Sequence, residues 1–348
     1  MADTLLQELS NADLDWLIST GERSRLSPGQ PLRSSQLNAE LVYILIEGKL
    51  GLNFGTGSAA TTPPMLIDEL NPGEVIGIET LFGRSEMTRV ETLEPVLVMA
   101  LPVAKVQQKL QEDIAFAAHF YRAIAVILSS RLRRIFEQPN RIQFWGDRST
   151  KEVLSIFGEL RDSDVDWLAS FGHTAAIAKD QVVLQAARPV DALYIMLDGQ
   201  MCISAPQQGQ FNPLVLCFGE ADDNGRDQPA FTTISKGGMP GIISFLDFRP
   251  LPVTIRTVKD SLVFAVPRQT LVTKLQVDDS FASRFYRVIA IEVLELLQAV
   301  SSQLVHPAAV NQTADDKHWD EELDMADLEQ LSEGAKKFNW MLSQLGVT

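Results

Sequence analysis

This chain has little of what most site chemistry needs: 2 cysteines and 4 histidines among 348 residues. Cys202 and Cys217 share one segment, without CxxC spacing and with no histidine beside them. They read as small apolar residues of a reducing compartment. His119, His173, His306 and His318 form neither HxxxH nor HExxH, so no metal site is expected. There is no GxSxG, no GxxxxGK[ST], no Cys/His pair and no well-placed pair of carboxylates, and the acidic run Asp320 to Asp324 reads as a helix start. These absences argue against an enzyme and against any cofactor.

Positive charge is short as well. Thirty Lys and Arg face 45 Asp and Glu, a net charge of −15, and such a balance argues against a nucleic-acid partner, whose phosphates call for clustered cations. No uncharged apolar stretch approaches the roughly 20 residues a membrane helix needs. The start, MADTLLQELSNADLDW, lacks the basic opening and apolar core of a secretory signal. A soluble, cytoplasmic protein without membrane insertion is expected.

What the chain does have is a repeat. Leu9 to Gly48 returns without a gap as Leu160 to Gly199, at a constant offset of 160 − 9 = 151. Asp13/Asp164, Trp16/Trp167, Gly21/Gly172, Gln30/Gln181, Tyr43/Tyr194 and Gly48/Gly199 fall in register. One folding unit therefore occurs twice.

Each copy opens with a short helix, with Asn11 or Asp162 as N-cap and Leu14, Leu17 and Ile18, or Val165 and Leu168, on one face. Strand-like runs follow: LVYILIEGKLGLNF, MLIDEL, VIGIETL and VLVMALP in copy one, and ALYIMLDGQMCIS, LVLCF, GIISFL and SLVFAVP in copy two. A long helix closes each, over about 104–137 and 268–304, with matching cores FYRAIA and FYRVIA at offset 285 − 120 = 165. The larger offset places an insertion in copy two near 207–237, a polar, glycine-rich stretch. Trp16 and Trp167 read as core residues joining helix to strands.

The predicted organisation is a first domain over 1–140, a linker over 141–152, a second domain over 153–305, a flexible linker over 306–318 and an amphipathic helical segment over 319–348. In that last segment Leu328, Leu331, Ala335, Phe338, Leu342 and Leu345 recur by threes and fours, with Trp340 beside them. The stripe reads equally as a helix-in-groove docking element and as a helix packed back on its own domains. Arg131, Arg133, Arg134 and Arg141 near the end of the first closing helix read as a solvated or inter-domain basic face.

The motifs LSPGQPL, YILIEGKL at Tyr43, YIMLDGQM at Tyr194 and LNPGEVIGIETLFG at Leu70 resemble the cyclic-nucleotide-binding domain family, over about residues 5–305. The resemblance implies an α+β fold: two tandem cyclic-nucleotide-binding-like β-rolls of jelly-roll type, each flanked by helices, with a C-terminal amphipathic helix beyond them. In functional members a cassette resembling F-G-E-L-A, followed by R-A-A, holds the ligand. Its Arg and a short helix N-terminus take the cyclic phosphate, and its Glu takes the ribose hydroxyl.

Gly77 and Gly241 match the cassette glycine, but Ile78 and Ile242 stand at the Glu position and Glu86 and Leu251 at the Arg position. Losing such an Arg–phosphate contact costs on the order of 2–5 kcal/mol, which argues against a cyclic mononucleotide. Glu79, one place beyond the expected Glu, and Arg84, Arg89 and Arg249 nearby are the residues that could substitute.

The expectation is thus a non-enzymatic regulatory or adaptor protein with two degenerate cassettes, docking on a protein partner through its surface and C-terminal helix. Modules of this family also resemble those attached to bacterial peptide exporters and shell proteins, which points to a bacterial secretion or compartment assembly. The closing helices offer a surface for self-association. The alternatives are a sensor for a non-standard nucleotide or uncharged metabolite in one β-roll, and a transcription regulator that has lost its DNA-reading part.

Overall fold

The computed structural model describes residues 4–30, 32, 40–54, 65–84, 88–137, 157–204, 230–304 and 325–347. It divides into two compact units, Met1–Ile135 and Phe136–Thr348.

Unit one opens with two short helices, α1 (Thr4–Glu8) and α2 (Asn11–Thr20). The cap of α2 is Ser10, one residue before the predicted Asn11: its hydroxyl accepts the Asp13 N–H at 3.2 Å while the Asp13 carboxylate accepts the Ser10 N–H at 2.9 Å. This reciprocal pair satisfies two otherwise orphaned donors at the helix start. Strands β1 (Glu22–Leu26), β2 (Leu41–Glu47), β3 (Leu50–Phe54), β4 (Met65–Leu70) and β5 (Val75–Ile76) follow, then the short helix α3 (Ile78–Leu81), β6 (Thr88–Thr92) and β7 (Val96–Pro102).

Two antiparallel sheets result, in the orders β1-β7-β2-β5 and β4-β3-β6. Leu32, Tyr43, Leu45, Leu50, Leu52, Leu70, Ile76, Val96 and Val98 form one buried cluster drawn from both sheets. This is the layered β-roll expected of alternating inward aliphatics.

Unit two repeats the plan. Helix α6 (Asp162–Phe171) leads into β8 (His173–Ile177), β9 (Val182–Leu184), β10 (Ala192–Asp198), β11 (Met201–Ser204) and β12 (Ala230–Ile234), then helix α7 (Ile242–Asp247), β13 (Thr254–Thr257) and β14 (Ser261–Pro267). Its sheets run β10-β14-β8 and β12-β11-β13-β9. Both units carry a register shift at the same place, between Leu45 and Glu47 in β2 and between Met196 and Asp198 in β10.

The runs VIGIETL and GIISFL, expected as strands, are mainly helical. Gly77 (φ 83°), directly after β5, and Gly241 (φ 80°), in the turn that follows β12, take the left-handed conformation, and α3 and α7 begin directly after them.

Each predicted closing helix is a pair: α4 (Val103–Glu112) with α5 (Ile114–Phe136), and α8 (Arg268–Val277) with α9 (Asp279–Leu304). The breaks fall at matched aspartates. Asp113 accepts the Phe116 N–H at 3.0 Å and Asp278 the Phe281 N–H at 2.9 Å, each also bound to the lysine four residues earlier. Such a carboxylate caps a new helix start and disfavours continuation of the old one. Beside the breaks, Trp16 meets Phe116 edge-on at 5.2 Å and Trp167 lies 5.5 Å from Phe281.

The last element, α10 (Met325–Gln344), packs on α6 within unit two. Phe338 and Met341 are fully buried. Phe338 meets Phe157 edge-on at 5.1 Å, the Lys337 ammonium donates to the carbonyls of Gly158 and Leu160 at 3.1 and 2.6 Å, and the Trp340 indole donates to Asp166 at 2.8 Å. Of the two readings of the tail stripe, the packed one describes these residues; Leu342 and Leu345 are half-buried and Trp340 is exposed. The side chains of Leu328 and Leu331, the insertion up to Pro229 and both linkers lie outside the described residues.

Candidate functional site: the two cassettes

In unit one the cassette turn is pinned from behind. Glu74, just before β5, receives the Arg131 Nε at 2.8 Å and an Arg134 nitrogen at 2.9 Å, while Arg131 also donates to the Val75 carbonyl. Arg134 forks onto both oxygens of Asp68 at 3.0, 2.9 and 2.6 Å. Burial works against the Arg134 charge, but Asp68 and Glu74 outweigh it and push this guanidinium above its ordinary value.

These arginines are therefore no solvated basic face: Arg131 and Arg133 are buried, and Arg131 and Arg134 are spent on two carboxylates of their own β-roll. Arg141 lies outside the described residues. The cluster fixes α5 to the strand that delivers the cassette. A buried pair of this kind specifies geometry more than it adds stability.

Past Gly77, Ile78 is buried at the position where a ribose-binding carboxylate would stand. The Glu79 carbonyl accepts the N–H groups of Phe82 and Arg84, closing the turn on itself. Arg89 is exposed and Arg84 half-buried. Glu86 lies outside the described residues.

In unit two the corresponding ground is apolar. Ile242 is 1% and Leu251 2% exposed, and both line a narrow apolar cleft with Met239, Gly241, Val253 and Ile255. Apolar residues make up its lining among the described residues, so it presents no cation and no side-chain donor to a phosphate. A Cβ on Gly241 would fall 2.5 Å from Leu184 Cδ1, so the glycine here serves wall packing as well as the turn.

The Leu251 backbone is fixed on both sides, donating to Arg188 at 3.0 Å and accepting from Ala187 at 2.7 Å. Ser244, wholly buried, donates to the Arg249 carbonyl at 2.6 Å and accepts the Val190 N–H at 3.0 Å. Arg249 turns its guanidinium to Asp247 at 2.8 Å.

A residue that the sequence reading passed over sits behind this turn. Glu292 of α9 is buried; its Oε1 accepts the Met239 N–H at 3.1 Å and its Oε2 has no partner among the described residues. Burial, with a smaller push from Glu295, raises its carboxyl to about 8, against the pull of the Met239 N–H. The signal in the sequence is a carboxylate, Glu292, flanked on both sides by aliphatic residues within the run VIAIEVLELL, which holds Glu295 as well.

Matched positions also tie opening to closing helices. Asp13 meets His119 at 3.0 Å in unit one, and Asp164 takes both the Nε and a terminal nitrogen of Arg284, at 2.6 and 2.8 Å, in unit two. Among the described residues no group of three or more His, Cys, Asp or Glu could hold a metal ion, and no helix is long and apolar enough to cross a membrane.

Each unit thus has the order of the family resembled: opening helix, β-roll with a glycine-started cassette helix, closing helices. No family model and no curated protein matches the chain. Several solved structures are similar to it, three of which follow. The regulatory domain of Toxoplasma gondii PKA with cAMP shares 12% identity over 80% of this chain and 89% of that one, with a TM-score of 0.28. The regulatory subunit of a cAMP-independent protein kinase A from Trypanosoma brucei shares 12% over 80% and 93%, at 0.28. The N-terminal domain of a transcriptional regulator from Streptomyces coelicolor A3(2) shares 23% over 38% and 89%, at 0.30. These likenesses concern the fold; what the cassettes hold depends on this chain's own residues.

Proposed function

We propose that this chain is a non-enzymatic regulatory or adaptor protein whose two β-rolls have given up gripping a cyclic phosphate. The observation that carries the reading is the unit-two cassette, where Leu251 and Ile242 present an apolar wall in place of a guanidinium and a carboxylate. Rescue by a neighbouring arginine finds no support there, because Arg249 is bound to Asp247. In unit one, Ile78 fills the ribose position and Arg131 and Arg134 are held by Asp68 and Glu74. The partner in this reading is a protein, of the bacterial secretion or compartment kind that the resemblance suggests, working in the cytoplasm.

A thermal-shift series with cyclic AMP, cyclic GMP and cyclic dinucleotides tests it. A true ligand at 100 times its Kd stabilises by about 2.7 kcal/mol. The reading predicts unchanged midpoints across the panel, and a rise with cyclic AMP overturns it.

A further inference from the structure

The repeat shows a seat that is filled in one unit and open in the other. In unit two α10 lies on α6: Phe338 covers Phe157, which is 1% exposed, Val165 of α6 is fully buried, and Trp340 bonds Asp166. At the repeat offset of 151 the matching residues of unit one are Leu6, Leu14 and Asp15. Here Leu6 is 59% exposed, Leu14 only half-buried and Asp15 exposed. Ile18, one turn beyond Leu14 and matched to Ala169, is 54% exposed. The aliphatic strip Leu6, Leu14 and Ile18 on α1 and α2, with Asp15 beside Leu14, is thus exposed or half-buried, where Phe157 and Asp166, the twins of Leu6 and Asp15, meet α10.

We propose that this strip of unit one is a docking seat for an amphipathic helix of a partner protein. That helix resembles α10 in chemistry, with an apolar anchor for Leu6 and Ile18 and an N–H donor for Asp15. Leu6, Leu14 and Ile18 supply the apolar contact a helix face needs, and Asp15 supplies the acceptor that Asp166 gives Trp340. The occupant is not the chain's own α10, because that helix already packs on α6 of unit two. The inference rests on the adaptor reading and names its partner class, but its readout involves no nucleotide, so it can fail while the nucleotide panel stays flat.

A labelled synthetic peptide of residues 325–348 is the probe, titrated by fluorescence anisotropy into the full-length chain. Saturable binding is expected, weakened about tenfold or more by Leu6→Asp or Ile18→Asp, since each removes an aliphatic anchor. Both positions are exposed, and an unchanged melting midpoint in the variants shows that the fold is kept. Asp166→Lys in unit two should leave binding intact. The proposal is overturned by absent binding, or by binding that ignores Leu6→Asp and is lost in Asp166→Lys, which would mean exchange into unit two. A dimer in sedimentation that Leu6→Asp dissociates overturns it in favour of a second copy.

Discussion

In unit two Arg284 of the closing helix grips Asp164 of the opening helix with two nitrogens, at 2.6 and 2.8 Å, and the Asp164 oxygens are almost fully buried. Removing Arg284 leaves that carboxylate without its cation, so Arg284→Ala should destabilise unit two by about 3 kcal/mol, below the full cost of breaking a buried pair because the guanidinium is partly solvated. The equivalent change in unit one, His119→Ala, should cost under about 1 kcal/mol, because His119 is 41% exposed. Urea unfolding of both variants checks the ranking, and equal losses would contradict it.

Glu292 makes unit two less stable as pH rises from the acidic through the neutral range. Its carboxyl sits at about 8 in the folded state against 4.5 for an ordinary glutamate. Between those values the unfolded chain releases a proton that the folded one keeps, so stability falls as pH rises from about 4.5 to about 8 and then levels off. The loss should amount to several kcal/mol, on the order of the shift times 1.36 per unit. Glu292→Gln should flatten this part of the profile; the check is unfolding free energy at pH 5, 6.5 and 8 in both proteins, and parallel profiles would refute the assignment.

The arginine cluster of unit one should behave as a pair of commitments. Arg131→Met takes one of two guanidiniums from the buried Glu74 carboxylate and leaves the Arg134 nitrogen at 2.9 Å, so it should cost less than the about 3–5 kcal/mol of a buried pair broken outright. Adding Glu74→Met should recover part of that loss, since both charges are then gone. A double-mutant cycle read by denaturant unfolding checks the coupling, and a purely additive double mutant would show the contact to be idle.

Much of this architecture could be read before any coordinates. The gapless register of Asp13/Asp164 and Trp16/Trp167 reports one unit used twice, and matched residues do carry matched contacts. Gly77 and Gly241 mark the cassette turns because the left-handed backbone there excludes most other residues. The runs VIGIETL and GIISFL misled because short apolar stretches look alike as buried strand or buried helix. The breaks at Asp113 and Asp278 were hidden by apolar periodicity that continues through them. Nor does periodicity say what covers an apolar stripe, which is why Phe338 on Phe157 had to be seen. Arg134 finds Asp68 across 66 residues, a pairing that no local pattern announces.

Isothermal titration of the full-length chain with cyclic AMP tests the central claim most directly. The apolar ground around Leu251 and Gly241 and the committed arginines of unit one predict dilution heats alone at millimolar ligand. A saturable isotherm with a micromolar Kd, abolished by substitution beside either cassette glycine, would contradict the account.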